Sequence, residues 1–195
     1  MLNVDIGGAK GNNSSPVKHL WKILDIRPCD YVYDLNSGKP FPFKNSEVDN
    51  YYTSMTLESV WMDKIQFVFK EIYRTLKPGG IIRVIVPDVA FAMKLYLNEP
   101  QRLFDKSLPI GCVGHPDIAM TRFLAWFVTP DKPEIIGHSG HKMAFDKESL
   151  TYYFCEAGFD LVKIKWLKYN ECSQVFKGRD KPRWLSLGIY MEVEK

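Results

Sequence analysis

Residues 60–86 limit the possible folds of this chain more than any other stretch. Apolar residues Trp61, Ile65, Val68, Phe69, Ile72 and Leu76 recur at spacings of three and four, which predicts a helix over 60–76 with one buried stripe. Lys77-Pro78-Gly79-Gly80 then stops it. Proline cannot continue a helix, and glycine is expected to supply its left-handed cap. The run Ile81-Ile82-Arg83-Val84-Ile85-Val86 follows at once. It is nearly continuous and β-branched, with no alternation of apolar and polar residues. A strand of that kind is covered on both faces, as in a parallel sheet flanked by helices.

The rest of the chain repeats this alternation of strand and helix. Strands are predicted at 1–6, 21–25, 31–34 and 48–53, the second and third ending on Asp25 and Asp34. Helices are expected at 88–97 and 117–128, joined by a loop holding Pro109, Gly111 and Gly114. Asp146 reads as the N-cap of a helix whose Leu150, Tyr153, Phe154 and Ala157 share a face, and Gly158 ends it. Residues 159–166 and 184–193 give the last two strands, with the basic segment 177–183 as a solvated hairpin loop. No repeat or linker interrupts the pattern, so one domain over 1–195 is expected, with 98–145 as an acceptor-side insertion or lid.

Composition narrows the class of partner. A chain that is 46% hydrophobic and 14% aromatic has enough apolar side chains for a core. The net charge of +3 argues neither for nor against an anionic partner, whereas a dedicated nucleic-acid binder usually shows a stronger basic stripe. Four scattered cysteines without a CxxC pair read as reduced thiols. No apolar run reaches the roughly 18 residues that a membrane span needs. The start lacks the basic and apolar regions of a signal peptide, so a cytoplasmic protein is expected.

The chemistry begins where the first strand ends. Asp5-Ile6-Gly7-Gly8-Ala9-Lys10-Gly11 places three glycines where a strand turns toward a helix. Glycine accepts positive φ there and lets a ligand approach bare backbone. The spacing is not the GxGxxG of dinucleotide sites, which disfavours a nicotinamide-dependent oxidoreductase. Asp25 stands where an α/β site places the acid that receives ribose hydroxyls. Asp34-Leu35 stands where a carboxylate takes an adenine amino proton and Leu35 covers the ring. The competing reading of Asp34 is a turn-starting aspartate before Asn36-Ser37-Gly38.

In this order, DIGGAKG, ILDIRP, VYDLNSGKPFPF, VDNYYTSMTLESV, YRTLKPGGIIRVIVPD and FDKESLTYYFCEAGF resemble a class I S-adenosylmethionine-dependent methyltransferase of the compact bacterial type. The resemblance implies a Rossmann-like α/β fold. Its seven-stranded sheet is mostly parallel, has helices on both faces, and carries an antiparallel last strand inserted between strands five and six. It also implies that Gly7, Gly8 and Gly11 line the methionine portion of the cofactor and that Asp5 orients their loop. Asp25 would hold the ribose, Asp34 and Leu35 the adenine, and Thr53 and Ser54 would close the pocket.

Two departures from the resemblance matter. Relatives carry a helix between strands one and two and further helices that cap the cofactor, whereas here only Asn12 to Leu20 separates the glycine loop from strand two. The pocket is therefore expected to be open or completed by a second copy of the chain. Relatives also carry a histidine pattern ending in Glu-His. This chain has Met55 and Ser59 near those places and keeps Glu58.

Methyl transfer needs alignment of acceptor and methyl, plus a proton acceptor for some substrates. His115, His138 and His141 are the candidate bases, with His141, just before the last helix, preferred. His138 and His141 without a third ligand do not make a metal site. The function expected is methyl transfer to a small-molecule, sugar or lipid-type acceptor. The alternative is a non-catalytic module or partner subunit that binds S-adenosylmethionine or an adenosine ligand.

Overall fold

The computed structural model describes residues 1–8, 20–105, 108, 112–129, 140–182, 185 and 187–195. Its strands are β1 (Asn3–Ile6), β2 (Trp21–Asp25), β3 (Tyr31–Val32), β4 (Val48–Ser54), β5 (Leu76–Pro87), β6 (Ile164–Leu167) and β7 (Gly188–Glu194). They form one seven-stranded sheet in the order β3-β2-β1-β4-β5-β7-β6. Neighbouring strands from β3 to β5 pair in parallel, while β7 runs antiparallel to both β5 and β6. The antiparallel last strand thus sits where the resemblance put it, between strands five and six.

Helix α1 (Met62–Thr75) buries Ile65, Val68, Phe69 and Ile72 completely. Each such side chain contributes roughly 1.5–3 kcal/mol by leaving water. They meet Leu150 and Phe154 of α4 (Lys147–Ala157), and Phe69 stands edge-on to Phe154 at 4.6 Å between centroids. Helix α4 begins at the expected N-cap: Asp146 Oδ1 accepts from Ser149 N at 2.8 Å and Ser149 Oγ accepts from Asp146 N at 3.0 Å, a reciprocal box. It ends at Gly158, whose φ of 112° suits glycine.

Three expectations change here. Trp61 is left out of the buried stripe; it precedes α1 and is 52% exposed. The glycines after α1 do not cap it. Leu76 is already extended (φ −69°, ψ 136°), and Gly79, with φ 76°, lies inside β5. Gly79 N donates to Lys195 O at 2.7 Å, and the Lys195 ammonium covers the Tyr73 and Leu76 carbonyls at 2.7 and 2.8 Å. The C-terminal residue, rather than glycine, therefore satisfies carbonyls at the end of α1. Gly80 is needed for closeness, because a Cβ there would lie 2.6 Å from Asp49 O.

The third change concerns 177–183. One face of the sheet is covered by α1 and α4. Among the described residues the other is covered by segment 168–182, which holds the 3-10 turn Gln174–Phe176. Phe176 packs there with Trp21, Tyr52, Ile85 and Tyr190. Arg83, fully buried on β5, reaches Asp180 through Nε at 2.8 Å and Nη2 at 2.6 Å, and Glu192 through Nη1 at 3.0 Å. Segment 177–183 is thus not a solvated loop: the Arg179 and Asp180 side chains are buried.

Helix α2 (Val89–Asn98) follows β5, and α3 (Ala119–Leu124) is shorter than the 117–128 expected. With the 3-10 turn Pro100–Phe104 they enclose a separate apolar cluster of Ala92, Leu95, Leu103 and Trp126. The last two strands also begin later than their apolar runs.

Candidate functional site

Strand β1 pairs with β2 on one side and β4 on the other, so the strand order reverses at β1. Crossovers leave in opposite directions there and open a crevice beyond the carboxyl ends of β1 and β4. Ile6 is in register with Leu24 and Thr53, which sets Gly7 beside Asp25 and Ser54.

The glycine loop is held tightly at its start. Gly7 takes φ 79° and donates its N–H to Leu24 O at 2.9 Å. A Cβ on Gly7 would fall 2.0 Å from Thr56 Oγ1, and one on Gly8 would fall 2.7 Å from Asp5 Cγ. Neither position has room for a side chain. Gly11 lies outside the described residues, as does His138.

Asp5 lies beneath Gly8 and pairs with Arg179, whose guanidinium stands 4.2 Å from the Trp21 ring centroid and 4.5 Å from that of Tyr52. Burial pushes the Asp5 carboxyl up to about 6, outweighing the pull of Arg179. Arg179 was not singled out in the sequence, because nothing local ties it to a strand end 174 positions away.

Asp25 is buried at the end of β2, and its carboxylate is largely occupied. Oδ1 accepts from Arg27 N and Arg27 Nε, both at 2.8 Å, and Oδ2 accepts from Arg27 Nη2 at 2.6 Å. A carboxylate has about four acceptor positions, so roughly one, on Oδ2, stays open for a ribose hydroxyl. Asp34 is exposed; its Oδ1 accepts from Asn36 N at 2.9 Å, which makes it the turn-starting aspartate of the competing reading. Leu35 is partly buried against the main core.

The end of β4 shows an unbalanced polarity. Thr53 is fully buried and its hydroxyl makes no hydrogen bond among the described residues. Ser54 follows, its carbonyl accepting from Thr56 Oγ1 at 3.3 Å. Glu58, in the 3-10 turn Leu57–Ser59, is 1% exposed, and among the described residues neither carboxyl oxygen has a hydrogen-bond partner. Burial pushes its carboxyl up to about 8. Buried polar atoms are ordinarily satisfied, so such a group just after the carboxyl end of β4 calls for a ligand or a catalytic task.

His141 reaches this turn from a distant part of the chain. Its Nε2 lies 3.7 Å from Glu58 Oε1, and its Nδ1 is 3.1 Å from Trp126 O. Lys142 N and Met143 N donate to Glu58 O at 2.7 and 3.1 Å, which fixes segment 141–143 against the turn. His115, by contrast, is exposed on the loop before α3. Tyr51 and Tyr52 are buried in the packing on either face of the sheet. Among the described residues no group of three or more His, Cys, Asp or Glu is arranged to hold a metal ion. None of the described helices is long and apolar enough to cross a membrane.

The fold and the comparisons agree. Residues 5–84 match the family model of the methyltransferase domain. The fold is that of the class I S-adenosylmethionine-dependent methyltransferases. A Methanosarcina mazei methyltransferase structure superposes with TM-score 0.57 at 16% identity, covering 100% of this chain and 92% of that one. An Archaeoglobus fulgidus S-adenosylmethionine-dependent methyltransferase gives 0.56 at 12%, covering 100% and 86%. A Burkholderia thailandensis N-methyltransferase, with 1,6-didemethyltoxoflavin and S-adenosylhomocysteine bound, gives 0.53 at 10%, covering 100% and 70%. No curated protein matches the sequence. The family model spans β1 to β5, the part of the chain that holds the glycine loop, Asp25, Thr53 and Glu58.

Proposed function

We propose that this methyltransferase domain transfers the methyl group of S-adenosylmethionine to a small-molecule, sugar or lipid-type acceptor bound beyond the ends of β4 and β5. The observation that carries this reading is the set of buried, unpartnered polar atoms of Thr53 and Glu58 beside a glycine loop that admits no side chain. Bare backbone at Gly7 and Gly8 suits the methionine portion, and the open position on Asp25 Oδ2 suits a ribose hydroxyl. Asp34 uses Oδ1 on its own turn, which leaves Oδ2 for the adenine amino edge with Leu35 beside the ring.

The cofactor supplies an activated methyl on a sulfonium. This chain's residues then have to hold the acceptor in line and remove its proton. His141, fixed through Trp126 O and side-chain exposed by 27%, carries that proton to solvent. The apolar cluster of α2, the 3-10 turn and α3 covers the acceptor side from residues 98–145.

A second reading is a module that binds the cofactor without turnover, and it is favoured by the Arg27 clamp on Asp25. Calorimetry with S-adenosylmethionine, S-adenosylhomocysteine and NAD, followed by detection of S-adenosylhomocysteine formed against a broad acceptor panel, separates the two. Binding of NAD alone overturns both readings; tight cofactor binding with no product on any acceptor leaves the second.

A further inference from the structure

We infer that Glu58 is the group that first takes the acceptor's proton and that His141 is its exit to solvent. The inference rests on the methyl-transfer reading above and assigns the proton path within it.

The geometry separates the two roles. Both nitrogens of His141 are already directed at the protein: Nδ1 at Trp126 O, Nε2 at Glu58. A carbonyl only accepts, so Nδ1 carries the hydrogen and Nε2 of the neutral ring presents a lone pair toward Glu58. The imidazole is therefore turned away from direct work on an acceptor. Glu58 has the opposite arrangement. Its Oε1 faces His141, and its Oε2 is buried without a partner. The turn that carries it follows β4 directly, two residues after Thr56, whose side chain presses on Gly7.

Burial supports the assignment, because it makes Glu58 basic enough to accept a proton near neutral pH, where an ordinary carboxylate is too weak. Lys142 is the neighbouring cation, and its ammonium is directed at Gly140 O at 3.2 Å and over the Trp61 ring at 4.9 Å.

The step balances. The acceptor's lone pair forms the new bond to the methyl carbon as the carbon–sulfur bond breaks and its electron pair goes to sulfur. The proton released by the acceptor goes to Glu58 Oε2. The carboxyl then turns to hand that same proton to the lone pair of His141 Nε2, and the partly exposed imidazolium gives it to water, which leaves Glu58 ionised again.

Glu58→Gln keeps shape and volume, and the backbone bonds from Lys142 and Met143 do not involve the side chain, so the variant is expected to fold. Infrared difference spectra of the whole chain from pH 5 to 10 test the pair without any turnover. A protonated carboxyl band that titrates near pH 8, vanishes in Glu58→Gln and shifts its midpoint in His141→Gln is expected. A carboxyl ionised throughout that range overturns the assignment.

With an acceptor found by panel screening, Glu58→Gln should lower kcat by roughly 10²–10⁴-fold. S-adenosylmethionine affinity should stay unchanged, the rise of rate with pH should be lost, and Glu58→Asp should restore part of the rate. A Glu58→Gln enzyme with the wild-type rate and pH profile also overturns it. Wild-type protein that binds cofactor and forms no S-adenosylhomocysteine overturns methyl transfer itself, an outcome the infrared titration keeps distinct.

Discussion

Arg27 grips Asp25 with both prongs of its guanidinium, Nε to Oδ1 at 2.8 Å and Nη2 to Oδ2 at 2.6 Å, within two residues of sequence. The clamp fixes the one buried acid at the cofactor edge of β2 in a single orientation. A ribose hydroxyl that uses the remaining position on Oδ2 gains a charge-assisted hydrogen bond. Asp25→Ala should therefore weaken S-adenosylmethionine binding by ~1–3 kcal/mol. Calorimetry on the folded variant checks this, and wild-type affinity would remove Asp25 from the site.

Gly7 makes a different demand, since its backbone is left-handed and Thr56 fills the space where a Cβ would stand. Gly7→Ala should cost about 1–2 kcal/mol from the backbone alone. The Thr56 clash adds to that, and cofactor affinity should fall with it. Adding Thr56→Gly removes the clash but not the φ, so the double variant should regain only part of the lost stability in urea unfolding. Full recovery would show that φ was irrelevant, and no recovery that Thr56 was.

Much of this fold can be read locally. Strand β2 has the predicted bounds because its apolar run starts at Trp21 and stops on an acid. Helix α4 was marked at both ends by Asp146 and Gly158, residues whose capping chemistry is local. The parts that could not be read depend on partners far away in sequence. Lys-Gly-Arg-Asp-Lys looks solvated because charge ordinarily seeks water, yet Asp180 is buried by an arginine 97 positions earlier. The glycines of 77–80 looked like a helix cap, and their partner is the far C-terminus. At the site, the strand ends were legible from their glycines and acids. The meeting of Glu58 with His141 was not, since no periodic pattern links a turn after β4 to a loop before α4.

Asp180 and Arg83 are both wholly shielded from solvent, and the pair holds segment 168–182 onto the sheet. Removing one partner of a buried ion pair costs about 3–5 kcal/mol when the other charge is left alone. Asp180→Ala should cost less than that in chemical denaturation, because Glu192 still pairs with Arg83 at 3.0 Å. Arg83→Met added to Asp180→Ala leaves Glu192 with Ser173 as its partner, and the two losses should not add, because both variants break the same bonds. Simple addition of two losses would mean that the residues act independently.

Glu58 should also make the stability of the protein depend on pH in a direction opposite to most carboxylates. Its folded value of about 8 lies above the ordinary 4.5, so the native state keeps a proton that the unfolded chain has already lost between those values. Stability is then complete below pH 4.5, declines as pH rises toward 8, and levels off beyond it, each unit of pH costing at most about 1.4 kcal/mol. Asp5 contributes in the same sense, but only up to about pH 6. Urea midpoints measured from pH 5 to 9 should fall for the wild type and fall much less for Glu58→Gln, with the difference growing from pH 5 to about 8 and constant beyond it. Two parallel curves would show that the Glu58 carboxyl ionises like a solvated one, and the buried proton would have to be sought on another group.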